Sequence, residues 1–439
     1  MNESQNTLSA VPLSETASAA RPVGSKPVAP ETEFPLPPLL REFWVGIAVL
    51  TLIAWVVATF DLLRNRPESA GLFPLPGDLF GDFRHYESIF RYLHSSQFFL
   101  GAERFAYPAF SAVVYDLLYH LGPHRQAIYL GGELVLDGLA ASLLFWKIRS
   151  LRVRLFPAIV FASSVLLFSY PLMMMLERAN IEIFTCLLTA VGLWALVKKR
   201  DLMAAGFWGA AGALKIYPLV LLALFLSRQR WRPFVAGVAA FVAISVLAMW
   251  FVGPTIPIAL AGSISGIGGF VSTYAQTVRT AEVGYDHSLL ATFKIIGYVL
   301  AHHLDRLSFL TPLYIALAGT LALIVFFTRV TRLPQTNQLI VLFAAMVLLP
   351  PVSYDYTLVH LYAPWTLLVV TTLCAARTGT HVSGLRTSLL CFVVLFTPQN
   401  YLYYHWIHLS GTIKVAALVT LIVSMLRHPV PDEALRIST

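Results

Sequence analysis

Charge is what this sequence most lacks. Only 12% of its 439 residues are Asp, Glu, Lys or Arg, about half the share of an average soluble domain. With 57% hydrophobic residues and a mean hydropathy of +0.70, the chain cannot supply the polar skin of a water-soluble globule. That excludes an ordinary cytosolic enzyme and a disordered scaffold. Cysteine is scarce as well. Cys186, Cys374 and Cys391 are the only three, all in apolar runs and none in a CxxC pair. A disulfide-rich secreted domain is therefore excluded, and the thiols read as small buried residues. HExxH and P-loop motifs are absent, so no motif demands a structural metal or a nucleotide. No repeat relates the two halves, which argues against an inverted-repeat transporter.

What is present is hydrophobic length. The apolar runs are about 17–23 residues long, the reach of a membrane-crossing helix. The short alternating strands of a transmembrane barrel are not seen. The sequence predicts an all-α, polytopic transmembrane helical bundle of about 10–12 spans. Residues 1–40, rich in Ser, Ala, Pro and Glu, read as a disordered cytoplasmic tail without the h-region of a signal peptide. Residues 41–428 form the membrane domain, and 429–439 a cytoplasmic C-terminal tail. The net charge of +8 reflects loops rich in Lys and Arg, which mark the cytoplasmic side; it gives no support to a nucleic-acid partner. With the N-terminus inside, 43–63 crosses outward and 64–105 is a first extracytoplasmic loop. Within it, 82–99 carries Phe83, Tyr86, Phe90 and Leu93 at helical spacing, an amphipathic helix at the membrane surface. Residues 174–180 form an outside turn, and 253–287, rich in Gly and Ser, a second outside loop. Two stretches resist the count. An odd number of crossings must fit into 107–146, and 204–226 has basic clusters at both ends with Pro218 between, as in a bent hairpin.

Ionisable groups at membrane depth are candidates for function. Asp82, after Gly81 at the start of the amphipathic helix, reads either as a general base at the outer surface or as a helix N-cap. Glu177-Arg178-Ala179-Asn180-Ile181-Glu182 reads either as an ion pair capping two helices or as a holder of sugar hydroxyls or phosphate. Lys215, in Lys215-Ile216-Tyr217-Pro218, lies in the middle of an apolar run, too deep to snorkel easily, and suits a buried anion. Asp286-His287-Ser288 closes the second loop. Ser353-Tyr354-Asp355-Tyr356 forms a further outside turn, followed by His360 and Tyr362. His405 and His408, among Tyr401, Tyr403, Tyr404 and Trp406, read as an interfacial aromatic belt.

The order of these features resembles the GT-C superfamily of membrane glycosyltransferases. Its nearest branch is glycosyltransferase family 87 (formerly DUF2029), the polyprenyl-phosphate-mannose-dependent mannosyltransferases. The resemblance runs from about residue 43. It rests on Gly81-Asp82, Tyr107-Pro108, Glu177-Arg178-Ala179-Asn180 in place of Gly-Gln-x-Asn, and Lys215-Ile216-Tyr217-Pro218 matching Lys-x-x-Pro. It continues with Asp286-His287-Ser288-Leu289 in place of Asn-Gln-Ser-Leu, and Pro351-Val352-Ser353-Tyr354-Asp355-Tyr356 in place of Pro-x-Ser-Trp-x-His. It implies an inverting hexosyltransferase of the bacterial cytoplasmic membrane whose site faces outward. The donor would be a polyprenyl-phosphate-linked sugar, mannose-like, and the acceptor a hydroxyl of a lipid or glycan. Asp82 would be the base. Lys215 and Arg178 would steady the leaving phosphate. Glu177, Asn180, Tyr217, His287 and Ser288 would make lesser contacts, with Asp286, Tyr107, Ser353 and Asp355 as further ones. No cofactor is required, although a divalent metal is compatible. A transporter or flippase of a lipid-linked or anionic substrate, and a surface-polysaccharide ligase or polymerase, are the alternatives.

Overall fold

A computed structural model describes residues 33–64, 80–100, 105–167, 169–276, 283–301, 310–404, 407–430 and 432. The tail 1–32, parts of both outside loops (65–79, 101–104 and 277–282), most of 429–439, and His405 and Trp406 lie outside the described residues. The described chain is almost entirely helical. In order, the helices are α1 Pro38–Leu63, α2 Gly81–Phe90, α3 Ser96–Leu100, α4 Ala109–Tyr119, α5 Arg125–Ser150, α6 Leu155–Leu167, α7 Tyr170–Arg178, α8 Glu182–Val197, α9 Asp201–Leu214, α10 Ala223–Ser227, α11 Trp231–Val252, α12 Ile256–Phe270, α13 Leu289–Ala301, α14 Leu310–Thr328, α15 Gln335–Leu348, α16 Tyr362–Thr378, α17 Leu385–Phe396 and α18 Ser410–Arg427. Short 3-10 helices, Tyr217–Leu222 and Asp355–Leu361, interrupt them. A two-residue hairpin pairs Tyr403-Tyr404 with Ile407-His408. Among the described residues seven helices are long and apolar enough to cross a membrane, or eight if the bent α6–α7 pair is one span.

The bundle has two unlike ends. At one, a chain of contacts collects the basic clusters. Arg149 pairs with Glu33 at 2.8 Å, Arg386 with Glu42 at 3.1 Å and Arg230 with Asp201 at 2.5 Å. Arg228 donates to Gln338, while Asn337 holds the backbone of Met425 and His428. The opposite end carries α2, the α7–α8 turn and the 350–357 turn. Helices α1, α5, α6–α7, α8, α11, α14, α15, α16, α17 and α18 run between the ends. The outer members bare one side. Val49, Leu52, Val56 and Phe60 of α1 are exposed, as lipid-facing residues are. By contrast α15 is buried almost throughout, and its all-round apolar character is that of a central helix.

The two ambiguous stretches resolve through helix length and end contacts. Helix α4 has only 11 residues, about half a bilayer's reach. Both its ends stay near α2: just ahead of its start the Tyr107 ring lies 5.4 Å from that of Tyr86, and at its end Tyr119 donates to the Phe83 carbonyl at 2.5 Å while Arg125, which opens α5, pairs with Glu87. Helix α5 is therefore the single crossing. Helix α9 descends from the basic end to Leu214, and the 3-10 helix and α10 return beside it. Arg230 beyond the hairpin pairs with Asp201 at its start, so both flanks are basic because both lie at the same end. Glycine permits the tight fit of α9 on α11, since a Cβ at Gly209 would lie 2.2 Å from the Gly237 carbonyl.

Two expectations need correction. Residues 253–287 are not a loop in their described part. Thr255 caps α12, which continues through a π turn to Ala275. Its middle rests on the segment that follows α2, with Gly262 against Phe99 and Gly266 against the Phe105 carbonyl. Small residues let the helix lie flush there. The amphipathic helix is also shorter than 82–99. It stops at Phe90, His94 adopts a left-handed φ of 66°, and α3 follows. Its apolar face is spent on protein, not lipid: Phe83, Tyr86 and Phe90 pack against Phe105, Tyr107, Tyr115 and Tyr119.

Candidate active site

Three clusters separated in sequence meet at the end opposite the basic one. Asp82 is the second residue of α2. The N-cap position is Phe80, left-handed at φ 61°, whose N–H donates to the Glu177 carbonyl at 2.7 Å. The capping reading of Asp82 therefore fails. Its carboxylate accepts from the Arg178 guanidinium at 2.8 Å and from the Asn180 amide at 2.5 Å. The guanidinium of Arg178 thus reaches across from the end of α7 to the start of α2.

Local chain geometry explains the meeting. Helix α7 ends at Arg178 because Ala179 turns left-handed at φ 47°. Asn180 then faces back toward α8, and its Oδ1 accepts the Glu182 N–H at 3.0 Å, satisfying an otherwise open donor of the first turn. Lys215 is the extended residue at the tip of the α9–α10 hairpin, where Pro218 forbids continuation of the α-helix. Its ammonium reaches Asn180 Oδ1 at 2.8 Å and Glu182 Oε2 at 2.6 Å and lies over the rings of Tyr107 and Tyr356 at 4.8 and 5.3 Å. Tyr217 and His360 both donate to Glu182 Oε1, His360 at 2.6 Å. Tyr107 accepts from Asn180 at 3.2 Å, and burial pushes its hydroxyl pKa up, which keeps it a neutral partner.

This wiring alters one expectation. Lys215 is not an unpaired cation waiting for an anion, since Glu182, fully buried, neutralises it within the chain. Asp82 and Arg178 are partly exposed, with side chains 14% and 40% accessible, as is the neighbouring Glu177. A carboxylate and a guanidinium side by side and open to solvent can accept a proton and hold an anion, respectively.

The second group, Asp286, His287, Ser288, Ser353 and Asp355, is brought together too, but apart from that pair. Asp286 Oδ1 accepts the N–H groups of Ser288 and Ser353, each at 2.9 Å, while burial pushes its pKa up against them. His287 donates from Nδ1 to Asp355 at 3.2 Å, and its Nε2 lies 3.1 Å from Ser353 Oγ. Lys414 closes the set on Asp355 Oδ2. His287, Ser288, Asp355 and Lys414 are wholly buried. The expected sugar or phosphate contacts of His287 and Ser288 do not fit this placement, because their polar atoms are spent on stapling α13, the 350–357 turn and α18.

Sequence reasoning missed four residues here. Lys414 opens an apolar run, where a lysine looks interfacial. His360 was visible only as a neighbour of the 353–356 turn. Glu133 and Asp137 lie buried one helical turn apart on α5, on the face of Tyr129, whose hydroxyl donates to the Asn180 carbonyl at 2.7 Å. Carboxylates within a crossing helix were themselves the signal. Among the described residues no group of three or more His, Cys, Asp or Glu side chains could share a metal ion.

Comparison with known proteins agrees with the sequence resemblance. Searches of curated proteins and of solved structures found no match. The sequence model of glycosyltransferase family 87 matches residues 105–349, taking in Tyr107, Glu177 to Glu182, Lys215, Tyr217 and Asp286 to Ser288. Asp82, Ser353, Asp355, His360 and Lys414 fall outside that stretch. The match spans more than half of the chain, which thus belongs to glycosyltransferase family 87 and is a multi-pass membrane glycosyltransferase.

Proposed function

We propose that this glycosyltransferase moves a mannose-like hexose from a polyprenyl-phosphate-sugar to an acceptor hydroxyl on the outer face of a bacterial cytoplasmic membrane, with inversion. The observation that carries the reading is the partly exposed Asp82–Arg178 pair at the end of the bundle opposite the basic clusters. A membrane-anchored donor suits this end, because its phosphate arrives at headgroup depth and needs no nucleotide outside the cell.

In this reaction the acceptor oxygen attacks the anomeric carbon as its proton passes to Asp82. The bond to the phosphate oxygen breaks, and the phosphate leaves with its electron pair as polyprenyl phosphate. Arg178 meets that phosphate while charge develops on it. Lys215 and Asn180 act one step back. They are too buried to be the first contact and instead fix the carboxylate. The acceptor is a lipid or glycan hydroxyl, and the step needs no metal although a divalent ion is compatible with it.

The test is transfer of labelled sugar from polyprenyl-phosphate-sugar by purified protein in detergent, with and without Mg2+ or Mn2+. Transfer that is lost in Asp82→Asn is the expected result. No transfer with any common sugar, or full activity in Asp82→Asn, would sink the reading. A flippase would tolerate that asparagine and move labelled lipid across vesicles without forming product.

A further inference from the structure

We propose that His360 is a positioning residue that fixes the orientation of Asp82 through a relay of Glu182, Lys215 and Asn180. The inference rests on the general-base reading of Asp82 and deepens it. His360 is 1% exposed and lies behind the exposed pair, so it can influence the chemistry only through its neighbours.

The relay is continuous and each link is directional. The imidazole is held at both ring nitrogens. Nε2 donates to Glu182 Oε1 at 2.6 Å, and Nδ1 lies 3.1 Å from Thr189 Oγ1. Both partners belong to α8, two turns apart, so the ring is clamped along that helix. Together with Tyr217, which donates to the same Oε1, the clamped ring fixes Glu182 with Oε2 toward Lys215. The ammonium is shared between Glu182 at 2.6 Å and Asn180 Oδ1 at 2.8 Å.

Asn180 is the link whose orientation the relay sets. An amide side chain can flip, exchanging its donor for its acceptor. Here two donors, the Lys215 ammonium and the Glu182 N–H, converge on one atom, so that atom must be the carbonyl oxygen. The NH2 group is then forced toward Asp82 Oδ2 and the Tyr107 hydroxyl. If Glu182 turns, Lys215 follows and Asn180 loses one of the two donors that set it. Asp82 then keeps only Arg178 as an oriented partner. A base displaced by about an ångström from its proton can lose about 100-fold in rate. Substrate binding need not change, because no solvent-facing group has been removed.

The 3-10 helix Asp355–Leu361 explains how a residue so far along the chain is held to this tolerance. Asp355 at its start is locked by His287 and Lys414. Tyr356, next along, covers Lys215, and His360 reaches Glu182 at the other end.

The experiment compares His360→Asn and His360→Gln in full-length protein, alone and with Asp82→Asn. Glutamine can place an amide N–H where Nε2 sits; asparagine is too short. Folded yield is checked by size-exclusion chromatography with fluorescence detection. We expect His360→Asn to lower kcat about 10- to 100-fold with the donor KM within about twofold, and His360→Gln to restore most of the loss. Combined with Asp82→Asn, His360→Asn should add little, the non-additivity expected of one pathway. The positioning role is overturned if His360→Asn raises KM alone, if glutamine is as poor as asparagine at equal folded yield, or if the loss persists in full on Asp82→Asn. Should Asp82→Asn abolish detectable turnover, the glutamine-against-asparagine contrast and the KM split decide. Full activity in Asp82→Asn itself would instead remove the base reading, a separate failure.

Discussion

The two polar regions of this protein are built from the same parts. Each centres on a buried carboxylate neutralised by a buried lysine, Glu182 with Lys215 and Asp355 with Lys414. Each adds a histidine, His360 or His287. The difference lies in where the network ends. The first runs through Asn180 to Asp82 and Arg178, which reach solvent. The second closes on itself. It even contains the Ser–His–Asp order of a nucleophilic triad, Ser353 Oγ to His287 Nε2 at 3.1 Å and His287 Nδ1 to Asp355 at 3.2 Å. But Ser353 is 3% exposed and also bonds Thr357, and Lys414 already neutralises the carboxylate. A triad is recognised by what its groups can do, and a hydroxyl that no substrate reaches does nothing. Access, not residue type, separates the reactive network from the staple.

The contrast is broken most easily at Asp82. Asp82→Asn should lower kcat for sugar transfer about 100- to 10,000-fold while the thermal unfolding midpoint in detergent stays unchanged. Asp355→Asn or Lys414→Met should do the reverse. Each strands a buried charge at a cost of about 3–5 kcal/mol, visible as lost folded yield and a lower midpoint, with activity per folded molecule falling far less than in Asp82→Asn. Replacing both together with Asp355→Leu and Lys414→Met should recover much of that stability. If Asp355→Asn instead spared stability and abolished turnover, the two regions would have to exchange roles. Arg178→Lys, which keeps charge but loses the planar fork, should raise the donor KM about tenfold at an unchanged midpoint. The smallest effect is expected of Ser353→Ala, about 1 kcal/mol of stability for one hydrogen bond and none on transfer.

Part of this was legible from residue order. The motifs around Asp82, Arg178, Lys215 and Asp355 stood out because charge is so rare that each exception is visible. Their pairing was not legible. Nothing near Arg178 in sequence indicates that its guanidinium reaches Asp82, 96 positions away; that follows from the fold, in which the Glu177 carbonyl takes the Phe80 N–H and sets the start of α2 beside the end of α7. Lys215 looked like a free cation because its partner, Glu182, lies across a helix hairpin. The 253–287 segment looked like a loop because glycine and serine suggest one, yet here those small residues serve α12 at close contact.

The sequence alone determined the solvent. A chain so poor in charge and so rich in long apolar runs must fold as helices within a bilayer, because there only helices or closed barrels satisfy the backbone. It also determined the family, through short motifs in a recognisable order. Only the tertiary structure decided which carboxylate is open and which are sealed. A side chain's exposure depends on what packs over it from distant parts of the chain, and no local pattern of residues specifies that.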